Sequence, residues 1–254
     1  MDARNGDAAR DDGSVLVVRD RAATIDADRA VNRRLLAAAA DGRPAVRAAR
    51  PHRQVAFGRR DTRSDGYGRA RRVARERGYP PVERDVGGRA VAYTGSTVAF
   101  LRAEPAENRG DIDERYDRAT ATVRRALSEA GADLSAGEPP ESFCPGSHSL
   151  QGPGGKVVGL AQRVRRDAAV TAGIVVVRDH AAVAEVLDPV YGALTVPFDP
   201  STVGSVARAG GSEDPDRVRH ALETALVGER AATTVDAATV ETGPTDADAP
   251  RDGG

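Results

Sequence analysis

The chain is 254 residues long, and its 37 Lys and Arg against 38 Asp and Glu leave a formal net charge of −1. No global field therefore draws it to nucleic acid or to acidic lipid, and with aromatics at 4% there are few rings to stack bases. One cysteine allows neither an internal disulfide nor a thiolate metal cluster, and no apolar run approaches the ~20 residues of a membrane span. One domain of ordinary size is expected, cytoplasmic, with no nucleic-acid or membrane partner.

Residues 1–13 and 229–254 are charged or rich in Asp, Gly, Pro and Thr, so they are expected to be mostly disordered tails around a folded body at 14–228. Residues 14–18 read as a first strand. Thr24 or Asp26 caps a helix on which Val31, Leu35, Ala38 and Ala39 share a face before Gly42 stops it. A second strand at 54–58 leads through the polar turn Arg59-Arg60-Asp61 to a helix over about 67–76 that ends at Gly78. Between 81 and 100, strand character on both sides of Gly87-Gly88, with a second turn at Thr94-Gly95, predicts a hairpin.

Ile112, Tyr116, Val123, Ala126, Leu127 and Ala130 recur at helical spacing, which predicts an amphipathic helix over about 111–130 whose stripe is core. Strands at 156–164 and 168–177 face each other across Arg165-Arg166-Asp167. A helix over 180–187 then gives way to a proline-punctuated connection through Asp188-Pro189-Val190-Tyr191 and 198–205. Asp214-Pro215 opens a last helix, with Val218, Leu222, Ala225 and Leu226 on one face. Paired strands flanked by helices predict an α+β domain.

The most unusual stretch is 142–163. It holds the only cysteine, Cys144, and the only lysine, Lys156, in a chain whose other basic residues of the Lys/Arg pair are all arginine. A compact ammonium on a flexible stem enters a narrow site that a planar guanidinium does not, so position 156 is expected to require an amine. Gly152, Gly154 and Gly155 precede the lysine, and Val157-Val158-Gly159-Leu160-Ala161 reads as a buried strand with a glycine where backbone or ligand comes close. Pro145-Gly146 directly after the cysteine points to a turn, where a catalytic thiol is more expected than a packing residue. His148 in the same loop, and His52, His180 and His220, show no metal-ligand spacing. No metal site is expected.

Gly155-Lys156-Val157-Val158-Gly159-Leu160-Ala161-Gln162-Arg163 resembles the lipoate/octanoate protein ligase and acyltransferase family, that is, the biotin/lipoate A/B protein ligase family. Ser142-Phe143-Cys144-Pro145-Gly146 resembles its cysteine-dependent octanoyl/lipoyl amidotransferase branch. Arg84, Gly87, Gly88, Ala90 and Val91 match the family's arginine–diglycine segment. Glu83 stands where many ligases have a first arginine, Val86 where they have Ser or Thr, and Tyr93 near a position that is often His. The resemblance runs over about 15–227, makes 14–228 the catalytic domain, and implies a mixed sheet flanked by helices as in class II aminoacyl-tRNA synthetases and biotin–lipoate ligases.

It further implies that Cys144 and Lys156 are catalytic and that Arg84, Gly87, Gly88, Ala90, Val91, Gly159, Ala161 and Gln162 bind substrate, with Asp61 either shaping the pocket mouth or serving as a polar turn residue. The activity implied is transfer of an octanoyl or lipoyl group through a Cys144 thioester to a lysine of a lipoyl-domain protein. The carriers are the glycine-cleavage H protein and 2-oxoacid dehydrogenase acyltransferase subunits. Exchange of one amide for another is nearly balanced in energy and needs no cofactor. Two alternatives stand beside it: an ATP- and magnesium-dependent lipoate-protein ligase, and a non-catalytic acyl-binding subunit of a split ligase.

Overall fold

The computed structural model describes residues 14–84, 87–106 and 112–241. The tail expected at 1–13 lies outside the described residues, as does 242–254 of the tail expected after 228. Eight strands form a mixed sheet in the order β11-β1-β2-β6-β10-β9-β8-β7: β1 (Val15–Arg19), β2 (Ala45–Ala49), β6 (Val98–Pro105), β7 (Ser135–Ala136), β8 (Ser149–Gly152), β9 (Gly155–Val164), β10 (Ala168–Val175) and β11 (Ala232–Asp236). Pairings of β1 with β2 and β11 are parallel; the others are antiparallel. A smaller sheet has the order β4-β3-β5, from β3 (Gln54–Phe57), β4 (Pro81–Glu83) and β5 (Val91–Tyr93).

The helices are α1 (Ile25–Ala40), α2 (Tyr67–Glu76), α3 (Ile112–Glu129), α4 (His180–Leu194), α5 (Pro215–Val227) and α6 (Ala237–Glu241). Helices α3 and α5 cover one face of the large sheet, where Val123, Leu127, Leu222 and Leu226 pack against Val17, Val46 and Phe100. The Val31-Leu35-Ala39 stripe of α1 covers part of the other face, and Thr24 caps that helix by accepting from the Ala27 N–H. The small sheet, backed by α2 and α4, stands over the remainder.

Three expectations change, and one strand, β2, comes with no expectation from the sequence. The strands flanking the diglycine do not pair as a hairpin: β4 lies parallel to β3 and β5 antiparallel to its other edge, because the chain between them carries the site described below. Strand β2 has the unpromising sequence Ala-Val-Arg-Ala-Ala, yet all five residues are buried, since Arg47 finds the Asp28 carboxylate on α1. Helix α4 continues through Pro189 to Leu194, where Val190, Tyr191 and Leu194 bury against the small sheet and offset the lost N–H. The ordered chain also runs past 228, because β11 extends the sheet beside β1.

Four tyrosines are held above the ordinary phenol value. Burial, with the hydrogen bond to Glu83 adding to it, pushes Tyr67 up to about 12. Burial also raises Tyr93 and Tyr116, and Tyr191 well above its ordinary value. A phenol whose folded pKa exceeds its unfolded value of about 10 stabilises the fold fully below that pH, and the contribution is lost as pH rises through the folded value. Alkaline titration is therefore expected to release most tyrosinate absorbance late and together with loss of the far-ultraviolet dichroism. Independent ionisation of these four near pH ~10 would contradict the packing.

Candidate active site

Between the two sheets and α1 lies a cavity of about 190 Å³. Its floor is the exposed face of four neighbouring strands: Gly159 and Ala161 of β9, Ala172 and Ile174 of β10, Ala99 and Leu101 of β6, and Ala49 and Arg47 of β2. Gln54, Ala56, Val82, Val91 and Tyr93 of the small sheet form the roof, and Phe143, Cys144 and Arg84 also line the cavity. Apart from Arg47, the floor is apolar, because alternate residues of each strand face the cavity and those positions are small or aliphatic.

Cys144 sits in the β7–β8 loop with φ 43°, a left-handed backbone that a non-glycine residue adopts only under constraint. The constraints are visible on every side of it. Its N–H donates to the Tyr191 hydroxyl oxygen (2.6 Å), and that hydroxyl donates to the Ala90 carbonyl (3.0 Å). Its carbonyl accepts from Lys156 Nζ (2.8 Å). Sγ accepts from Arg84 Nη2 (3.2 Å) and from the Arg89 backbone N–H (3.4 Å), so a cation and an amide both face the sulfur. Burial alone would lower the Arg84 guanidinium, but the Cys144 sulfur, the Tyr93 phenol and the bond to Sγ outweigh it and raise the group above its ordinary value.

Lys156 is fully buried on β9. Nζ donates to Glu138 Oε2 (2.6 Å), the Phe143 carbonyl (2.9 Å) and the Cys144 carbonyl (2.8 Å), which uses the three protons of an ammonium. Glu138 in turn accepts from the Gly146 N–H (2.9 Å) and the Ser149 hydroxyl (2.8 Å). The lysine and its carboxylate thus clamp the cysteine loop on both sides. The amine reaches the cysteine backbone, while the contacts to Sγ come from the arginines.

The diglycine loop closes over the thiol. Gly88 has φ 90°, and a Cβ there would stand 2.7 Å from Sγ and 2.9 Å from Arg84 Nη2. Gly58 is needed beneath it, since a Cβ at 58 would meet the Gly88 carbonyl oxygen at 2.0 Å. Asp61, fully buried, accepts from the Gly58 N–H (3.1 Å) and from Arg89 Nη1 (3.2 Å) and so anchors both strands of this crossing. Gly88→Ala is expected to cost about 1–2 kcal/mol of stability and to change the rate at which a thiol reagent labels Cys144 by at least about tenfold, read by thermal melt and labelling kinetics. Gly87→Ala is the control, because nothing among the described residues lies within 4 Å of its Cβ position.

Of the residues singled out from sequence, Cys144, Arg84, Val91, Gly159 and Ala161 line one cavity. Lys156, Gly88 and Ala90 stand behind the cysteine as described. Gln162 faces away: on the opposite side of β9, its carboxamide donates to the Ile112 carbonyl (3.2 Å) and accepts from Arg115 Nε (2.6 Å) when oriented to satisfy both. Glu83 accepts from the Tyr67 hydroxyl, Tyr93 lines the roof, and Val86 lies outside the described residues. His148 stacks on Tyr116, with centroids 3.8 Å apart. Glu138, Arg89 and Tyr191 were not anticipated. A lone buried lysine demands a counter-charge, which is the signal that points to Glu138; a backbone N–H and a helical phenol give no such signal.

A family model described as the lipoyl protein ligase A/B catalytic domain matches residues 26–226. The chain belongs to this family. An octanoyl-[GcvH]:protein N-octanoyltransferase of Exiguobacterium sibiricum is 32% identical over 160 residues, 63% of this chain and 59% of that protein. A protein of the same description from Bacillus velezensis is 34% identical over 113 residues, 44% of this chain and 39% of that protein. The matched region spans about half the length of these curated relatives.

Among solved structures, lipoate-protein ligase A bound with ATP superposes with a TM-score of 0.68 at 19% identity over 87% of this chain and 89% of that one. Ta0514 of T. acidophilum, a lipoate protein ligase homologue with bound lipoic acid, gives 0.68 at 16% identity over 90% and 92%. The α+β architecture with its mixed sheet is thus the fold of the lipoyl ligase family. Among the described residues, no helix is long and apolar enough to cross a membrane.

Proposed function

We propose that this member of the lipoyl ligase family transfers an octanoyl or lipoyl group between lipoyl-domain proteins through a thioester on Cys144. The observation that carries the reading is the single thiol at an apolar cavity, with the Arg84 guanidinium and the Arg89 N–H directed at its sulfur. Sulfur attacks the carbonyl carbon of the acyl-lysine amide on the donor; the C–N bond breaks, and the thiol proton ends on the leaving amine. In the second half an acceptor lysine amine attacks the thioester carbonyl, the C–S bond breaks, and the proton lost by that amine restores the thiol.

Arg84 and the Arg89 N–H stabilise negative charge on sulfur at both stages. Lys156 and Glu138 hold the loop that presents it, and Gly159, Ala161 and Val91 contact the acyl chain. Amide, thioester and amide follow one another without ATP. The relatives' descriptions support a GcvH-type donor; a 2-oxoacid dehydrogenase acyltransferase subunit is the acceptor implied by the family resemblance, and the cytoplasm is the compartment.

Intact-mass spectrometry after incubation with octanoylated carrier and no ATP tests this. The expected result is a hydroxylamine-labile octanoyl adduct that chases onto unmodified acceptor. Acceptor modification only when ATP, magnesium and free lipoate are supplied would instead establish a ligase, and saturable lipoate binding without turnover an acyl-binding subunit.

A further inference from the structure

The cavity does not end in apolar side chains. Its floor carries a straight row in register across the sheet, from Ala161 to Ala172 to Leu101 to Arg47. Three strand spacings separate the first from the last, about 14 Å. At the β9 side the row starts on a wall of the cavity that Cys144 also lines; at the β2 side it stops at Arg47, which is 3% exposed. Arg47 Nη2 donates to the Asp28 carboxylate and to the Asp20 carbonyl, and Nη1 to Asn32 Oδ1. Its Nε has no acceptor among the described residues, and Asp28 and Asn32 line the same cavity.

An extended eight-carbon chain, with C–C bonds of about 1.5 Å advancing roughly 1.25 Å each, is roughly 9 Å long. Laid along the row from its β9 end, it ends over β6, one strand short of Arg47. A methyl-ended chain four carbons longer would press its end onto the buried polar group and take away its last room for water, which is costly where a donor is already unpaired.

We infer that Arg47 is the specificity-determining residue at the far end of the acyl cavity. It admits medium methyl-ended chains of about eight carbons, rejects methyl-ended chains long enough to touch it, and accepts chains of that greater length when they end in a hydroxyl. The inference rests on the cavity holding the acyl chain, as proposed above.

The test is calorimetric binding of octanoate, dodecanoate and 12-hydroxydodecanoate to the full chain carrying Cys144→Ser, which cannot form the thioester. Burial alone would tighten binding about fourfold per added methylene. The expected result is the reverse, dodecanoate at least about tenfold weaker than octanoate, with the terminal hydroxyl restoring most of the loss. Arg47→Met combined with Asp28→Asn, which removes both charges of the pair, is expected to abolish the discrimination. If that variant does not fold, the three ligands on the Cys144→Ser background still decide. Dodecanoate following the methylene trend, or a hydroxyl without effect, overturns the gauge and leaves the transferase reading intact. Failure of octanoate itself to bind tells against the acyl cavity and hence against the transferase.

Discussion

Cys144→Ser is expected to lose at least ~10³-fold in acyl transfer with little change in melting temperature. A hydroxyl is a far weaker nucleophile than a thiolate, and among the described residues the groups directed at the side chain of residue 144 are a guanidinium and a backbone N–H, both donors. Those donors suit an anionic sulfur and do nothing to remove a proton from an alcohol. Stability is expected to hold because the loop is fixed by backbone contacts, from the Cys144 N–H to Tyr191 and from Lys156 to the Cys144 carbonyl, which the substitution does not touch. Transfer rates of wild type and variant, with thermal melts on the same preparations, check both halves. Near-wild-type transfer by the serine variant would make the cysteine a bystander and favour the ATP-dependent reading.

Lys156→Met is expected to cost about 3 kcal/mol of stability and to abolish transfer. The side chain is fully buried, and its removal leaves the Phe143 and Cys144 carbonyls and one Glu138 oxygen short of a donor. The figure lies at the low end for a broken buried ion pair because Glu138 keeps the Gly146 N–H and the Ser149 hydroxyl, and its side chain is 17% exposed. For a chain of this size that corresponds to a fall of roughly 6–12 °C in Tm. Lys156→Arg is the sharper comparison. It keeps the charge, yet its planar fork does not fit among one carboxylate and two carbonyls arranged around a point donor, so it too is expected to lose activity. A functional arginine variant would show that charge alone suffices at 156.

The helices were legible because their signals are local. The stripe of α1 follows a threonine cap, that of α3 repeats every three to four residues, and Asp214-Pro215 starts α5 with both a cap and a fixed φ. Strand β2 was not legible, since three alanines and an arginine carry little strand preference and their burial depends on Asp28, nineteen positions away in sequence. Nor was α4 beyond Leu187, because proline is a local stop signal that tertiary packing of Val190, Tyr191 and Leu194 overrides.

For the site, the sequence by itself determined which residue types matter: a unique thiol, a unique amine, and glycines where backbones cross. Chemistry that needs a particular atom leaves a compositional mark, and a lone lysine among arginines is one. What stands next to what was decided only in three dimensions. The tertiary structure turned Lys156 toward the cysteine backbone and Glu138, brought Arg84 and the Arg89 N–H to the sulfur from the far side of the diglycine, and set Arg47 across the floor from the thiol. Those relations join segments tens of residues apart, and no local pattern encodes a contact whose geometry is fixed by sheet register and loop closure.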